Sequence, residues 1–357
     1  MTSRSLVSKF ALTVFIALAI TSCQGIGKKI ERYQTDFYGL FDTHTILLGY
    51  TESEEEFLEY AEIIYDEMER LHKLLDIYNY YDGINNIKTI NSNAGVEPVE
   101  VHADLIRFME FAIEAYHLTD GVVNVAGGSV LKEWHDYRAA GREDPQYAEL
   151  PNMNYLIEMS HHIDINNIII DREKNTIYLS DSKMSLDVGS LGKGYAVEKA
   201  MNLAQDKGLK SALISAGGQV KAIGKPLDGQ RDKWGIGVQD PKLQPGGVQN
   251  ILDTVFFTDL SISTSGGYQR FYTVDGKKYS HLIDLNTLLP AERYASVSVI
   301  SEDSGIADML TTVMFIVTQQ EGAKLLDKFN ASGIWIYEDG SQIATEGYRA
   351  MSKNFSN

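Results

Sequence analysis

The chain carries one cysteine, Cys23, and its position near the start removes two ways of holding a fold together and one kind of catalysis. The folded part has no disulfide framework, no thiolate metal site and no catalytic thiol. Its stability must therefore come from buried apolar side chains. With 357 residues, 44% of them hydrophobic, the chain has enough for one large domain or two intertwined subdomains.

The same cysteine bears on location. Arg4 and Lys9 form a short basic start, and Phe10 to Ile20 is almost wholly apolar. This run falls short of the ~20 apolar residues of a comfortable membrane span and reads as a secretory signal. It ends in Ile20-Thr21-Ser22-Cys23, similar to a bacterial lipobox, which makes Cys23 the lipid-modified first residue. The expected organisation is a lipoprotein signal peptide over 1–22, a lipidated tether over 23–34 and a folded domain over 35–350. Such a protein is extracytoplasmic, anchored to a bacterial membrane without spanning it. The formal charge of −17 argues against nucleic acid, which is bound mainly by Lys and Arg on phosphate. An anionic ligand would need local positive charge, from a metal or a few placed lysines.

Periodicity gives the elements. Thr43 to Tyr50 reads as a strand. The Glu-rich segment from Ser53 opens a helix whose apolar residues Phe57, Ala61, Ile64, Met68, Leu71 and Leu75 keep a helical period. A Tyr- and Asn-rich loop, a helix from His102 to His117, and a hairpin of Ile168–Ile170 with Thr176–Leu179 follow. A third helix runs from near Gly194 to a C-cap at Gly208. Short strands alternate with turns from Ser211 to Ile300. Two more helices and a closing strand, Gly333 to Tyr337, complete the reading. Pro226–Asp232 and Pro241–Gln249 read as surface loops. Interleaved helices and short turn-linked strands predict an α+β fold with mixed sheets and flanking helices.

Four clusters could carry chemistry. Ser185 to Ala196 runs from an apolar strand through three glycines and Lys193 into a helix. That is either a phosphate-binding loop or a tight turn with a solvated lysine. Neither GxxxxGK[ST] nor GxGxxG is present. Gly217-Gly218 after the strand Ala212–Ile214 would let a flat ligand or another backbone pass close. Ser261 to Tyr268 and Tyr279 to Asp284 supply hydroxyls and His281, which Asp284 could orient. Asp308 and Thr312 stand at i and i+4 on one helix face: two hard oxygens of the kind Mg²⁺ takes, or a dipole-stabilising Asp and a back-bonded Thr.

In their order along the chain these clusters resemble the ApbE family, the FAD:protein FMN transferases. The resemblance runs from Phe41-Asp42-Thr43 through Asp76-Ile77-Tyr78, Thr89-Ile90-Asn91 and Thr119-Asp120-Gly121-Val122-Val123-Asn124. It continues over Asp187–Tyr195, Gly217-Gly218, Trp234–Pro241, Ser263–Gly266, Tyr279-Ser280-His281 and Ala307-Asp308 with Thr312. It implies an ApbE-like fold and binding of FAD at Phe41, Tyr78, Val122, Val123, Asn124, Asp187, Lys193 and Leu282, with Tyr78 packed on the isoalloxazine ring. It also implies Mg²⁺, with Mn²⁺ as the alternative, held by the Ser190 carbonyl, Asp308 and Thr312. The implied reaction passes FMN to a Thr or Ser hydroxyl of a partner protein, an FMN-carrying subunit of a membrane redox complex, with release of AMP. Asp308 and His281 would be catalytic, His281 by proton transfer. Two alternatives stay open: an FAD pyrophosphatase giving FMN and AMP, and a non-catalytic FAD-binding lipoprotein. Phe41 and Asp42 stand where the family usually has Met and Gly, and Asn124 where Asp is frequent.

Overall fold

The computed structural model describes residues 29–242, 250–268 and 270–355. Cys23, the proposed signal and most of the Pro241–Gln249 loop lie outside them.

Strands β1 (Glu31–Leu40) and β2 (Thr43–Thr51) form a hairpin. The expected tether thus ends early: Glu31 already pairs with Thr51. The polar look of 31–36 belongs to one face only, since Thr35 and Phe37 are buried while their neighbours point out. Helix α1 (Glu54–Leu75) starts at Ser53, whose side chain accepts from the Glu56 amide, and it buries the expected apolar stripe. Helix α2 (Ile87–Ser92), β3 (Val99–Glu100), α3 (Ala103–Leu118), α4 (Gly128–Glu143), α5 (Met153–Met159), β4 (Ile168–Asp171) and β5 (Thr176–Leu179) follow. Helix α6 (Gly192–Asp206) then leads into β6 (Ala212–Ala216) and β7 (Gln219–Ile223). Next come β8 (Trp234–Gln239), β9 (Ile251–Phe257), β10 (Ser261–Gly266), β11 (Phe271–Val274), β12 (Lys277–Ser280), β13 (Ile283–Asp284), β14 (Leu289–Pro290) and β15 (Ser296–Ser301). Helices α7 (Ser304–Ile316) and α8 (Gln319–Lys328) precede β16 (Ser332–Ile336). That strand does not close the chain, because β17 (Gln342–Ala344) and α9 (Glu346–Met351) come after it.

The centre is an eight-stranded sheet in the order β1-β2-β6-β7-β10-β15-β16-β17, with antiparallel neighbours throughout. Its antiparallel pairing makes the fold α+β. Helices α1, α6 and α7 cover one face, where Ile214, Val297, Val299 and Trp335 point. The β8-β9 hairpin and α9 cover the other, where Ala222, Ile262, Ile300 and Ile334 meet Trp234, Val255 and Tyr348. Every residue of β15 is buried, as a strand covered on both faces requires. Among the described residues no helix is long and apolar enough to cross a membrane.

Candidate functional site

The site forms where the β1–β2 and β6–β7 turns, at one end of the main sheet, meet the N-terminus of α6. In the turn between β1 and β2, Phe41 (φ 51°) and Asp42 (φ 52°) both adopt the left-handed conformation of a tight hairpin. Asp tolerates it and Phe does so at a cost, so neighbouring contacts must hold Phe41 in place. They do: its ring lies edge-on to His72 at 5.3 Å, and its amide donates to His72 Nδ1. Gly217 packs against Thr43 of this turn so closely that a Cβ would collide with it.

Tyr78 stands on the loop after α1, and that loop is organised by buried Asp76. Its carboxylate accepts from the Tyr78 amide at 2.6 Å, the Asn79 amide, the Asn79 side chain and the Tyr81 hydroxyl at 2.7 Å. Burial acts to raise its pKa, but these donors together outweigh it and hold the group below its usual value. Tyr78 itself is 54% exposed, an open aromatic face beside His135 at 5.4 Å. Its hydroxyl is pushed up to about 12 by burial and by Asp187.

The Gly-rich loop is tied down on both sides. The Asn91 side chain bonds the Leu186 amide and carbonyl at 2.7 and 3.0 Å. The Asp187 amide donates to the Val125 carbonyl, which brings 122–126 alongside the loop. Asp187 Oδ1 accepts from the Gly189 amide, while burial raises the carboxyl's pKa. Val123 is buried in the core, and the Asn124 side chain donates to the Ile163 carbonyl at 2.9 Å and accepts from the Ala126 amide. The Val123 amide donates to the Thr119 hydroxyl at 3.2 Å, and the Asn124 carbonyl accepts from the Gly127 amide. An Asp at 124 could not make the bond to Ile163, which gives Asn a reason to be there. Leu282 is likewise packed into the core and offers little side chain.

At the head of α6, Lys193 Nζ donates to the Gly217 carbonyl at 2.8 Å, and the Gly194 amide donates to Asp308 Oδ2 at 2.8 Å. A Cβ at Gly194 would lie 2.6 Å from the Ser304 carbonyl oxygen, so only glycine lets α7 approach. The Ser263 hydroxyl donates to Asp308 Oδ1 at 3.2 Å. Burial raises the Asp308 pKa, with Lys193 opposing, and burial lowers that of Lys193. Thr312 lies one turn beyond Asp308; its neighbour Thr311 makes the back-bond to the Asp308 carbonyl. Among the described residues no three His, Cys, Asp or Glu side chains converge as a metal cage. A single buried carboxylate with neutral oxygens nearby fits a Mg²⁺ completed by substrate phosphate and water, and each Asp308 oxygen keeps a lone pair beyond its one bond.

A second rung fixes the two helices. Four residues past Gly194, Glu198 Oε2 accepts from the Ser304 amide at 2.6 Å, four residues before Asp308. Buried Lys221 pairs with Glu198 at 3.0 Å and donates to the Glu302 carbonyl. Sequence reading missed this pair, because its partners lie on three separate elements.

His281 differs from expectation. Its Nδ1 meets the Arg270 carbonyl at 3.1 Å, and Asp284 spends Oδ1 on the Asn286 amide, inside its own turn. Asp284 therefore does not orient it. Burial, then Arg138 and Arg270, push the imidazole down to about 4. With Nδ1–H donating to that carbonyl, the neutral ring keeps its lone pair on Nε2.

Also unforeseen is a cavity of about 280 Å³ lined by Asp42, His135, Arg138, Ala139, Arg142 and Arg270. His135, Arg138 and Arg142 recur at helical spacing on α4, a signal legible once that segment is read as a helix.

An antiparallel α+β frame thus brings a lysine, a buried carboxylate and a Gly-rich helix start together. The ApbE family model matches residues 42–335, and the chain belongs to that family. It is 30% identical to the FAD:protein FMN transferase of Treponema pallidum over 274 residues, 73% of each chain. With its Haemophilus influenzae counterpart it shares 24% over 298 residues, 82% of this chain and 84% of the other. Among solved structures, the ApbE protein of Thermotoga maritima superposes with a TM-score of 0.77 at 25% identity, covering 90% of this chain and 99% of that one. The flavin transferase ApbE from Vibrio cholerae shares the fold, with a TM-score of 0.73 at 20% identity over 90% of this chain and 100% of its own.

Proposed function

We propose that the protein is an Mg²⁺-dependent FAD:protein FMN transferase that joins FMN to a Thr or Ser hydroxyl of an acceptor and releases AMP. The observation that carries this reading is the meeting of Lys193, the α6 N-terminus and buried Asp308 beside a neutral imidazole, in a chain of the ApbE family.

Lys193 and the positive end of the α6 dipole favour an anion at the loop. The open face of Tyr78 takes a flat ring, and Asp76 fixes its position. The Ser190 carbonyl, Asp308 and Thr312 would hold Mg²⁺, which supplies charge neutralisation and orientation at the pyrophosphate. The acceptor oxygen bonds to the FMN-side phosphorus as the bond to the AMP phosphate breaks. His281 Nε2 takes the hydroxyl proton. An imidazole held near 4 by burial, and then by positive neighbours that include Lys193, becomes a stronger base once a substrate phosphate sits at Lys193. Acceptors would be FMN-carrying subunits of membrane redox complexes, met outside the cytoplasm by an enzyme lipidated at Cys23.

Mass spectrometry of an acceptor domain incubated with the mature chain, FAD and Mg²⁺ tests the reaction. Gain of one FMN with stoichiometric AMP, both abolished by Asp308→Ala, is expected. AMP and free FMN with an unmodified acceptor would make the protein a pyrophosphatase, and intact bound FAD would make it a carrier. Palmitate labelling lost on Cys23→Ala tests the anchor.

A further inference from the structure

The cavity beside the flavin site gathers positive charge that the reaction at Lys193 and Asp308 leaves unused. Arg138 Nη2 contacts His135 Nδ1 at 3.1 Å, and Arg142 and Arg270 line the same space. Elsewhere Arg70, Arg107, Arg172 and Arg231 each pair with a carboxylate. Among the described residues these three pair with none, and the one acid in the lining is Asp42. Burial, and then the like charges of Arg270 and Arg142, disfavour the Arg138 cation. A fold that holds three guanidiniums together with Asp42 in the lining and Asp187 acting on Arg138 as their counter-charge, and no ion pair to either, is less stable for it, and an arriving anion reduces that cost.

Resting on the transferase reading, we infer that this pocket receives acidic side chains of the acceptor polypeptide that flank its modified hydroxyl. Three observations favour the polypeptide over the nucleotide. Phosphates already have Lys193 and the α6 N-terminus. At about 280 Å³ the space suits one or two carboxylate side chains. Arg142 and Arg270 are exposed and reachable by a macromolecule. The formal charge of −17 disfavours an acidic partner overall, so a local cluster of arginines also sets the direction of docking.

The test uses the mature chain and two fluorescein-labelled threonine peptides, one flanked by Asp and Glu and its twin by Asn and Gln. Anisotropy measures peptide affinity, and flavin fluorescence measures FAD affinity. The acidic peptide should bind about tenfold tighter at low salt, an advantage that shrinks as salt rises. Arg142→Gln and Arg270→Gln should each abolish the preference, leave FAD affinity within about twofold and not lower the Tm. These two residues are exposed, so folding is not at stake. Equal binding of the twins overturns the inference, as does a loss that falls on FAD instead of the peptide. Peptide preference without FMN transfer in the presence of FAD and Mg²⁺ would sustain the pocket and count against the transferase.

Discussion

Asn124 and His281 show how single groups set the behaviour of this site. The Asn124 amide both donates and accepts inside a buried turn, so Asn124→Asp sets a carboxylate against the Ile163 carbonyl. That change should cost about 1–3 kcal/mol in urea unfolding, with most of the loss recovered at a pH that protonates the new acid. His281 is held neutral, its folded pKa near 4 against an unfolded value of 6.5. The unfolded chain therefore binds the proton first. Stability from this group is complete above about pH 6.5 and falls as pH drops toward 4, by up to about 3 kcal/mol. His281→Asn should flatten that part of the acid limb, measured as denaturant midpoints at pH 7 and pH 4. The motif order made His281 legible, but not its partner: the distance from His281 to Asp284 is short in sequence, while the chain places Arg270 against the ring.

At the scale of elements, α6 and α7 run antiparallel with two contacts one turn apart, Gly194 to Asp308 and Glu198 to Ser304. Lys221 neutralises the second from the sheet. Lys221→Met leaves a buried carboxylate alone and should destabilise the fold by about 3–5 kcal/mol. Adding Glu198→Gln should return much of that, a pattern that chemical denaturation of the three variants resolves. Helices with strong stripes or caps, such as α1 and α7, could be read from spacing. Others could not, β1 and α4 among them. Strand β1 presents a charged outer face, and α4 begins at Gly127 without a side-chain cap and buries only Val130, Trp134 and two glycines. Its basic face, and with it the arginine pocket, was hidden for that reason.

Across the whole molecule, the C-terminal segment straps the far face of the sheet. Buried Asp253 on β9 accepts from the Tyr348 hydroxyl at 3.0 Å, the Ser352 hydroxyl at 2.6 Å and the Asn354 amide. Ending the chain at Thr345 would leave that carboxylate with the Thr254 amide alone of its donors and uncover the β8-β9 hairpin. A drop in Tm of several degrees is expected, with the site on the opposite face keeping its FAD affinity at low temperature.

Strand β1 also sets a distance. Its ten residues separate Glu31 from Leu40, whose next residue is Phe41 at the site, and at ~3.3 Å per residue they span about 30 Å. Between Cys23 and Glu31 the backbone can reach at most about 28 Å even when fully drawn out. Were Cys23 held in the bilayer, as proposed, the working end would stand at the far tip of this stiff arm, like a lamp on a short post. Hydroxyls lying flush with the lipid would pass beneath it, and those carried on domains that rise from the membrane would meet it.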